Sequence, residues 1–225
     1  MKKTKLVLIL SIMLVLIGFN TNVLANDDLF HKIDEYLTRY SKLGTFNGTV
    51  LVAKEGNIII NDGYGKADFE LDVDNENNSK YRIGSLTKQF TAAAILKLKE
   101  EGLLKLNDKV NNYVSDFKYG DKITIKNLLN HTSGLYDYTR SKEFRENMGK
   151  KVKIEEVIDI FKKKNFNKKK GKKYEYSNSN YLLLGYLIEN ITEKSYETYL
   201  KENIFKPLGM KNSGYAYHDK IVNLS

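Results

Sequence analysis

Hydrophobic residues recur every three or four positions between Leu29 and Tyr40, which is the spacing of one face of an α-helix. Asn26 and Asp28 precede this run and carry side chains suited to the start of a helix. The pattern therefore predicts an amphipathic helix that begins near Asp28. Its apolar face would carry Leu29, Phe30, Ile33, Tyr36, Leu37 and Tyr40.

The periodicity then changes to that of β-strands. The segments "FNGTVLVA" (46–53) and "NIIINDGYG" (57–65) are rich in β-branched and aromatic residues. The intervening "KEGN" contributes a glycine suited to a tight turn, so the pattern predicts a β-hairpin. The Asn- and Asp-rich residues 68–80 that follow predict a loop.

Helical spacing returns at Ser85 and dominates the rest of the chain, with no internal repeat. The sequence therefore predicts an α+β fold in which an N-terminal hairpin precedes a helical block. The predicted helices are Ser85 to Gly102; a short helix, or a strand leading into one, in "ITIKNLLNHTSG" up to Gly134; Ile154 to Phe161; Tyr176 to Thr192; and "SYETYLKENIF", which Pro207 stops.

Residues 1–25 have the pattern of a secretory signal peptide. Lysines near the N-terminus precede an apolar run from Leu6 to Gly18, and the small residues of "VLA" precede Asn26. A retained membrane anchor is the alternative, but a run of about 13 apolar residues is shorter than the ~20 that a spanning helix needs. We expect one domain over residues 26–225, exported to the extracellular face of a bacterial cell envelope, without a membrane span once the leader is removed.

The chain is basic, with a net charge of +9 at pH 7, and it contains no cysteine that could form a disulfide. Its most basic segment is the lysine-rich loop, residues 162–173. Only Phe166 supplies an interleaved aromatic ring there, so we expect no nucleic-acid partner. Electrostatic association with an anionic cell-wall polymer is the better interpretation.

Ser85 and Lys88 lie three residues apart in "YRIGSLTKQF", so their side chains would share one face of the helix start. A serine hydroxyl needs a neighbouring base to act as a nucleophile, and a lysine is a base when its surroundings favour the neutral form. N–H groups at a helix N-terminus also suit an oxyanion. The spacing alone leaves the ordinary alternative open, in which Ser85 caps the helix and Lys88 is a surface lysine.

A second group of polar residues, "YSN", opens the apolar helix that begins at Tyr176. A phenol beside an ammonium can lose its proton and serve as a base or a proton relay. The amide of Asn178 can both donate to and accept from a substrate amide. In isolation these residues also fit a helix N-cap.

Four segments in this order resemble a known family. "RIGSLTKQFTAAAILKL", "LLNHTSGL", "YSNSNYLLLGYLIE" and "PLGM" are similar to motifs of the serine hydrolases of the β-lactamase and penicillin-binding superfamily. The closer resemblance is to the class C β-lactamase and D-alanyl-D-alanine carboxypeptidase branch, and it extends from about Phe46 to Met210. It implies a β-lactamase/transpeptidase-like fold.

The resemblance also implies roles for individual residues. Ser85 would be the acylated nucleophile, Lys88 its proton partner, Tyr176 the general base or acid, and Asn178 a contact to the substrate side chain. His131, in "HTSG", would be structural and not a member of a Ser–His–Asp triad. Neither a metal nor an organic cofactor is implied.

The resemblance is incomplete after Asn178. The family's third motif, Lys-Thr-Gly or His-x-Gly on a late strand, has no counterpart there, and the three C-terminal strands of the family's five-stranded sheet are not predicted. We expect the chain to be a fragment or truncated product of a longer enzyme. The alternative is a shortened protein whose sheet a partner completes.

The predicted function is that of an exported serine hydrolase that forms an acyl-enzyme on an amide or ester. A small-molecule or peptidoglycan-derived substrate is implied, and D-alanyl peptides, D-alanyl esters, β-lactams and other esters all remain open. One alternative is a non-catalytic penicillin-recognising or wall-binding envelope protein, inactive because the third motif is missing. Another is a cationic wall-adhesion protein.

Overall fold

A computed structural model describes residues 28–164 and 173–216, which divide into two compact units between Tyr81 and Arg82. The predicted signal peptide and most of the lysine-rich loop lie outside the described residues. In the part of the chain that is described, no helix has both the length and the apolar character needed to cross a membrane.

The N-terminal unit contains the predicted helix α1, over residues 28–42, and the predicted hairpin. Strands β1 (Gly48–Lys54) and β2 (Asn57–Tyr64) pair antiparallel. The two residues between them, Glu55 and Gly56, both have positive φ, of 53° and 81°. This is the backbone of a type I′ turn, whose twist matches that of the paired strands.

The loop predicted over residues 68–80 is partly wrong, because its first residues belong to a second small hairpin. Strands β3 (Lys66–Asp68) and β4 (Val73–Asp74) pair antiparallel. The Lys66 ammonium lies 2.9 Å from a carboxylate oxygen of Asp72 and 2.6 Å from one of Asp74. Strands of three and two residues are too short to be recognised from their periodicity.

The C-terminal unit is the helical block. Its α-helices are α2 (Thr87–Glu100), α3 (Ile125–Leu129), α4 (Lys142–Glu146), α5 (Ile154–Lys162), α6 (Asn178–Thr192) and α7 (Tyr196–Leu200), and a π-helical turn (Lys201–Phe205) continues α7. Single 3₁₀ turns occupy Gly84–Leu86, Val110–Asn112 and Tyr138–Arg140.

Helix α6 is the centre of this block and contacts α2, α3, α5 and α7. Four of its apolar side chains are fully buried, at positions one and four residues apart that form one face: Leu183, Leu184, Leu187 and Ile188. They pack in one hydrophobic core with Ile95 and Leu98 of α2. The packing of α2 against α6 brings together the two segments that the sequence singled out for chemistry.

The predicted order of a hairpin followed by a helical block is confirmed, and every strand in residues 28–164 and 173–216 ends at or before Asp74. Two helix starts differ from the prediction. Ser85 lies in the 3₁₀ turn before α2, and α6 begins at Asn178 because Ser177 is extended, with φ −146° and ψ 128°.

Candidate active site

The turn before α2 presents Ser85. Gly84 has a φ of +51°, in the left-handed region where glycine has no steric penalty, and Ser85 is exposed in the following 3₁₀ turn. Leu86, and not Ser85, occupies the N-cap position of α2, without a side-chain cap bond. The alternative in which Ser85 merely caps the helix is therefore wrong.

Four predicted site residues meet at the adjoining starts of α2 and α6. Lys88 Nζ donates to Ser85 Oγ at 3.1 Å and to Asn178 Oδ1 at 3.0 Å. Ser85 Oγ lies 2.9 Å from Tyr176 Oη, and that phenol donates to Asn178 Oδ1 at 3.4 Å. Each of the four side chains therefore bonds to at least two of the others.

The hydrogen-bond directions follow from the donor and acceptor chemistry. The Lys88 ammonium has only donors, so Ser85 Oγ accepts from it. The single hydrogen of Ser85 is then available to the phenol oxygen of Tyr176. In this arrangement Ser85 Oγ contacts both a cationic donor, Lys88, and the phenol oxygen of Tyr176.

The surroundings of Tyr176 favour its phenolate. The Lys88 ammonium, and after it the Ser85 hydroxyl, lower the pKa of Tyr176 below its ordinary value of 10.0, while partial burial and Asp137 oppose them. Lys88 Nζ also lies 5.0 Å from the centroid of the Tyr176 ring and 5.6 Å from that of Tyr181, within the range of cation–π contacts.

His131 lies beneath the site as a support of Tyr176. The two rings stack with centroids 4.5 Å apart and an interplanar angle of 26°. His131 Nδ1 accepts from the backbone N–H of Ser177 at 3.3 Å and from Asn180 Nδ2 at 3.1 Å. A backbone N–H can only donate, so Nδ1 is the acceptor, and the Asn180 amide directs its nitrogen to the ring while its oxygen accepts from Ser133 Oγ at 2.5 Å.

These contacts place the proton of neutral His131 on Nε2. Burial and then the Lys88 charge lower the pKa of His131 below 6.5, and Asp137 opposes them. The backbone of His131 has a φ of 56°, which is left-handed, a conformation that His tolerates better than most residues. In the described part of the chain, no hydrogen bond joins His131 to Ser85, so the two do not form the pair that a triad requires.

Sequence reasoning did not single out Asp137, which is buried and 8% exposed. Its Oδ2 accepts from Asn178 Nδ2 at 3.2 Å. Both ends of the Asn178 amide are therefore engaged within the protein. The sequence feature that could have indicated Asp137 is the segment "GLYDY", in which this acid follows the turn glycine Gly134 and two apolar residues.

A cavity of about 580 Å³ adjoins this cluster. Lys88 and Asn178 line one part of it, and Tyr138, Tyr181 and Tyr196 contribute aromatic walls. Its volume is in the range of small-molecule pockets, although Ser85 and Tyr176 are not among the residues that line it. Among the described residues, no group of three or more His, Cys, Asp or Glu side chains is arranged to hold a metal ion.

Comparison with known proteins identifies relatives of this chain. Residues 31–221 match the family described as Beta-lactamase. Protein flp of Staphylococcus aureus (strain MW2) is 37% identical over 195 residues, which cover 84% of this chain and 39% of that protein. Teichoic acid D-alanine hydrolase of Staphylococcus aureus (strain MRSA252) is 34% identical over 196 residues, covering 87% and 46%. The chain thus spans less than half the length of these curated relatives.

Solved structures share the fold. FmtA from Staphylococcus aureus has a TM-score of 0.68 at 32% identity, covering 79% of this chain and 49% of that one. A penicillin-binding protein from Bacillus halodurans has a TM-score of 0.70 at 27% identity, covering 84% and 57%. D-amino acid amidase from Ochrobactrum anthropi SV3 has a TM-score of 0.69 at 28% identity, covering 82% and 53%.

Proposed function

We propose that this chain, which belongs to the Beta-lactamase family, is the part of a serine hydrolase that forms an acyl-enzyme on Ser85. One observation carries the proposal. Ser85 Oγ lies within hydrogen-bond distance of the Lys88 ammonium, at 3.1 Å, and of the Tyr176 phenol, at 2.9 Å. A nucleophile, a charge that stabilises it and a base are thereby in direct contact.

Acylation begins when Tyr176, as the phenolate, takes the proton of Ser85 Oγ. The oxygen attacks the substrate carbonyl carbon, and the C–O or C–N bond to the leaving group breaks as Tyr176 returns the proton to that group. Water then gives a proton to Tyr176 and attacks the acyl carbon. Ser85 recovers its proton as the acid product leaves.

Lys88 acts through charge and position. Its hydrogen bonds to Ser85 Oγ and Asn178 Oδ1 hold the ammonium beside the serine oxygen and near the Tyr176 phenol, whose pKa it lowers. A positive charge fixed there lowers the free energy of a serine alkoxide and of a tyrosine phenolate. Lys88 therefore needs no proton transfer of its own.

The proposed substrates are D-aminoacyl esters and amides, with D-alanyl esters of an anionic wall polymer first. Two relatives, named teichoic acid D-alanine hydrolase and D-amino acid amidase, support a D-amino acid as the acyl group. Residues 26–225 keep 34 of the 37 basic side chains and all 28 acidic ones, a net charge of +6 that favours an anionic polymer as the carrier of that group. The predicted signal peptide, residues 1–25, would bring the protein to this substrate outside the cell.

A second candidate is penicillin recognition without turnover. The likeness to the Bacillus halodurans penicillin-binding protein supports it. In this candidate Ser85 is acylated by a β-lactam, the acyl group stays on the protein, and D-alanyl esters are not cleaved.

The test uses the chain from residue 26, incubated separately with a fluorophosphonate, a penicillin, and the methyl esters of D- and L-alanine. Intact mass reports covalent adducts, and chromatography reports alanine release. Ser85→Ala is the control, because it removes the nucleophile and leaves Lys88 and Tyr176 in place.

We expect a fluorophosphonate adduct that Ser85→Ala abolishes, with faster release of D-alanine than of L-alanine. A lasting penicillin adduct without ester cleavage would select the second candidate. A folded protein that forms no adduct with either reagent would overturn both.

A further inference from the structure

We infer that Asp137 is a positioning residue that fixes the direction of the Asn178 amide and thereby aims the Lys88 ammonium at Ser85. This inference rests on the proposed function. It assigns a task to a buried acid that the acyl-transfer steps do not use.

The two oxygens of Asp137 serve different parts of the structure. Oδ1 accepts from the backbone N–H of Thr139 at 3.1 Å and from its hydroxyl at 2.9 Å, and so begins the 3₁₀ turn Tyr138–Arg140. Oδ2 accepts from Asn178 Nδ2 at 3.2 Å. The contact to the site can therefore be changed separately from the contact that shapes the turn.

The Asp137 contact decides which way the Asn178 amide faces. A carboxylate only accepts hydrogen bonds, so the amide nitrogen must face it. The amide oxygen then points the other way, where it accepts from Lys88 Nζ at 3.0 Å and from Tyr176 Oη at 3.4 Å. A flipped amide would set its N–H donors against the Lys88 donors and release the ammonium.

An effect of the Asp137 charge on Tyr176 and an effect of Asp137 on the direction of the Asn178 amide predict opposite changes in acylation rate, so the two can be told apart. The negative charge of Asp137 raises the pKa of Tyr176. If charge were its only effect, Asp137→Asn would favour the phenolate and speed acylation at neutral pH. If Asp137 positions the amide, the same variant slows acylation, because the amide loses its preferred direction.

The experiment exchanges the two groups. It compares Asp137→Asn, Asn178→Asp and the double variant with both changes, using the second-order rate of fluorophosphonate labelling from pH 6 to 10. We expect each single variant to lose about tenfold to a hundredfold at the high-pH plateau. The double variant should recover most of this loss, because the new amide at position 137 donates to the new carboxylate at position 178, which still accepts from Lys88.

Thr139→Val is the matched control. It removes the hydroxyl bond to Asp137 Oδ1 and leaves Oδ2 and Asn178 untouched. We expect wild-type labelling from it. A loss as large as that of Asp137→Asn would make Asp137 a residue of the turn only and overturn the inference. Losses that simply add in the double variant, or faster labelling by Asp137→Asn, would also overturn it.

A readout independent of activity separates this inference from the proposed function. The side-chain NH₂ signals of Asn178 in ¹⁵N-labelled protein, assigned by their absence in Asn178→Asp, report the bond directly. We expect Asp137→Asn to shift them and Thr139→Val to leave them in place. If the wild type takes no fluorophosphonate label, the proposed function fails. The NMR signals then still test whether Asp137 positions the Asn178 amide, and unchanged signals in Asp137→Asn would overturn the inference.

Discussion

The hairpin of the N-terminal unit buries a smaller share of its apolar side chains than the central helix of the helical block does. Leu51 of β1 and Ile58 of β2 are 60% and 63% exposed, whereas Leu184 of α6 is fully buried. A two-stranded sheet leaves both outer edges unpaired, and this one buries Ile60 and Tyr64 while exposing Leu51 and Ile58, whereas α6 packs against four other helices. All four predicted site residues lie in the helical block, so the site depends on helix packing.

The largest effect is expected from replacing Lys88, a proposed active-site residue of the helical block. Lys88→Met removes the donor to Ser85 and Asn178, and it takes away the charge that lowers the pKa of Tyr176. We expect fluorophosphonate labelling at pH 7.5 to fall about a thousandfold. Intact-mass kinetics measure it.

Lys97→Met is the matched control on the same helix. Lys97 makes an exposed ion pair with Glu101, at 3.2 Å, away from the site cluster. Its loss should leave the labelling rate unchanged. Equal rates for the Lys88 and Lys97 variants would refute the assignment of chemistry to the α2 start.

Replacing one large apolar side chain by alanine in each unit compares how much buried packing stabilises the helical block and the hairpin. Leu184→Ala should lower the free energy of unfolding of the helical block by about 2–5 kcal/mol, because it leaves a cavity in a closely packed core. Ile58→Ala, at a mostly exposed strand position, should cost less than about 0.5 kcal/mol. Urea unfolding followed by helical ellipticity compares them, and similar losses would mean that the two units do not differ as described.

A smaller effect is expected at His131. His131→Asn keeps a residue that tolerates positive φ but leaves the buried donors on Ser177 and Asn180 less well paired. We expect a loss of about 1–3 kcal/mol in unfolding free energy, by thermal or urea denaturation. Labelling should also slow, because the ring beneath Tyr176 is gone.

The pH dependence gives a second readout. Because the pKa of folded His131 lies below 6.5, the unfolded chain takes up this proton first as the pH falls. The wild type should therefore lose stability as the pH drops below about 6.5, and the variant should lack this component. The same pH dependence in both proteins would show that His131 does not titrate as inferred.

Elements that depend on the local pattern of apolar residues could be predicted from the sequence. Alternation and the "KEGN" turn predicted the hairpin, and helical spacing predicted α2, α5 and α6. The 3₁₀ turn that presents Ser85 was not predicted, because it depends on a left-handed Gly84 within an otherwise helical pattern. Asp137 was missed because its partner Asn178 is 41 residues away, and only the folded chain brings them within hydrogen-bond distance.

Tyr176 is proposed to accept the proton of Ser85. This role is tested by the pH dependence of fluorophosphonate labelling in the wild type and in Tyr176→Phe, with Ser85→Ala as the blank. We predict that the wild-type rate rises with pH through a midpoint below 10.0, as the phenolate forms, and that Tyr176→Phe loses both this rise and about a hundredfold or more in rate. The same profile and rate in both proteins would contradict the claim and assign the base to another group, with Lys88 the next candidate.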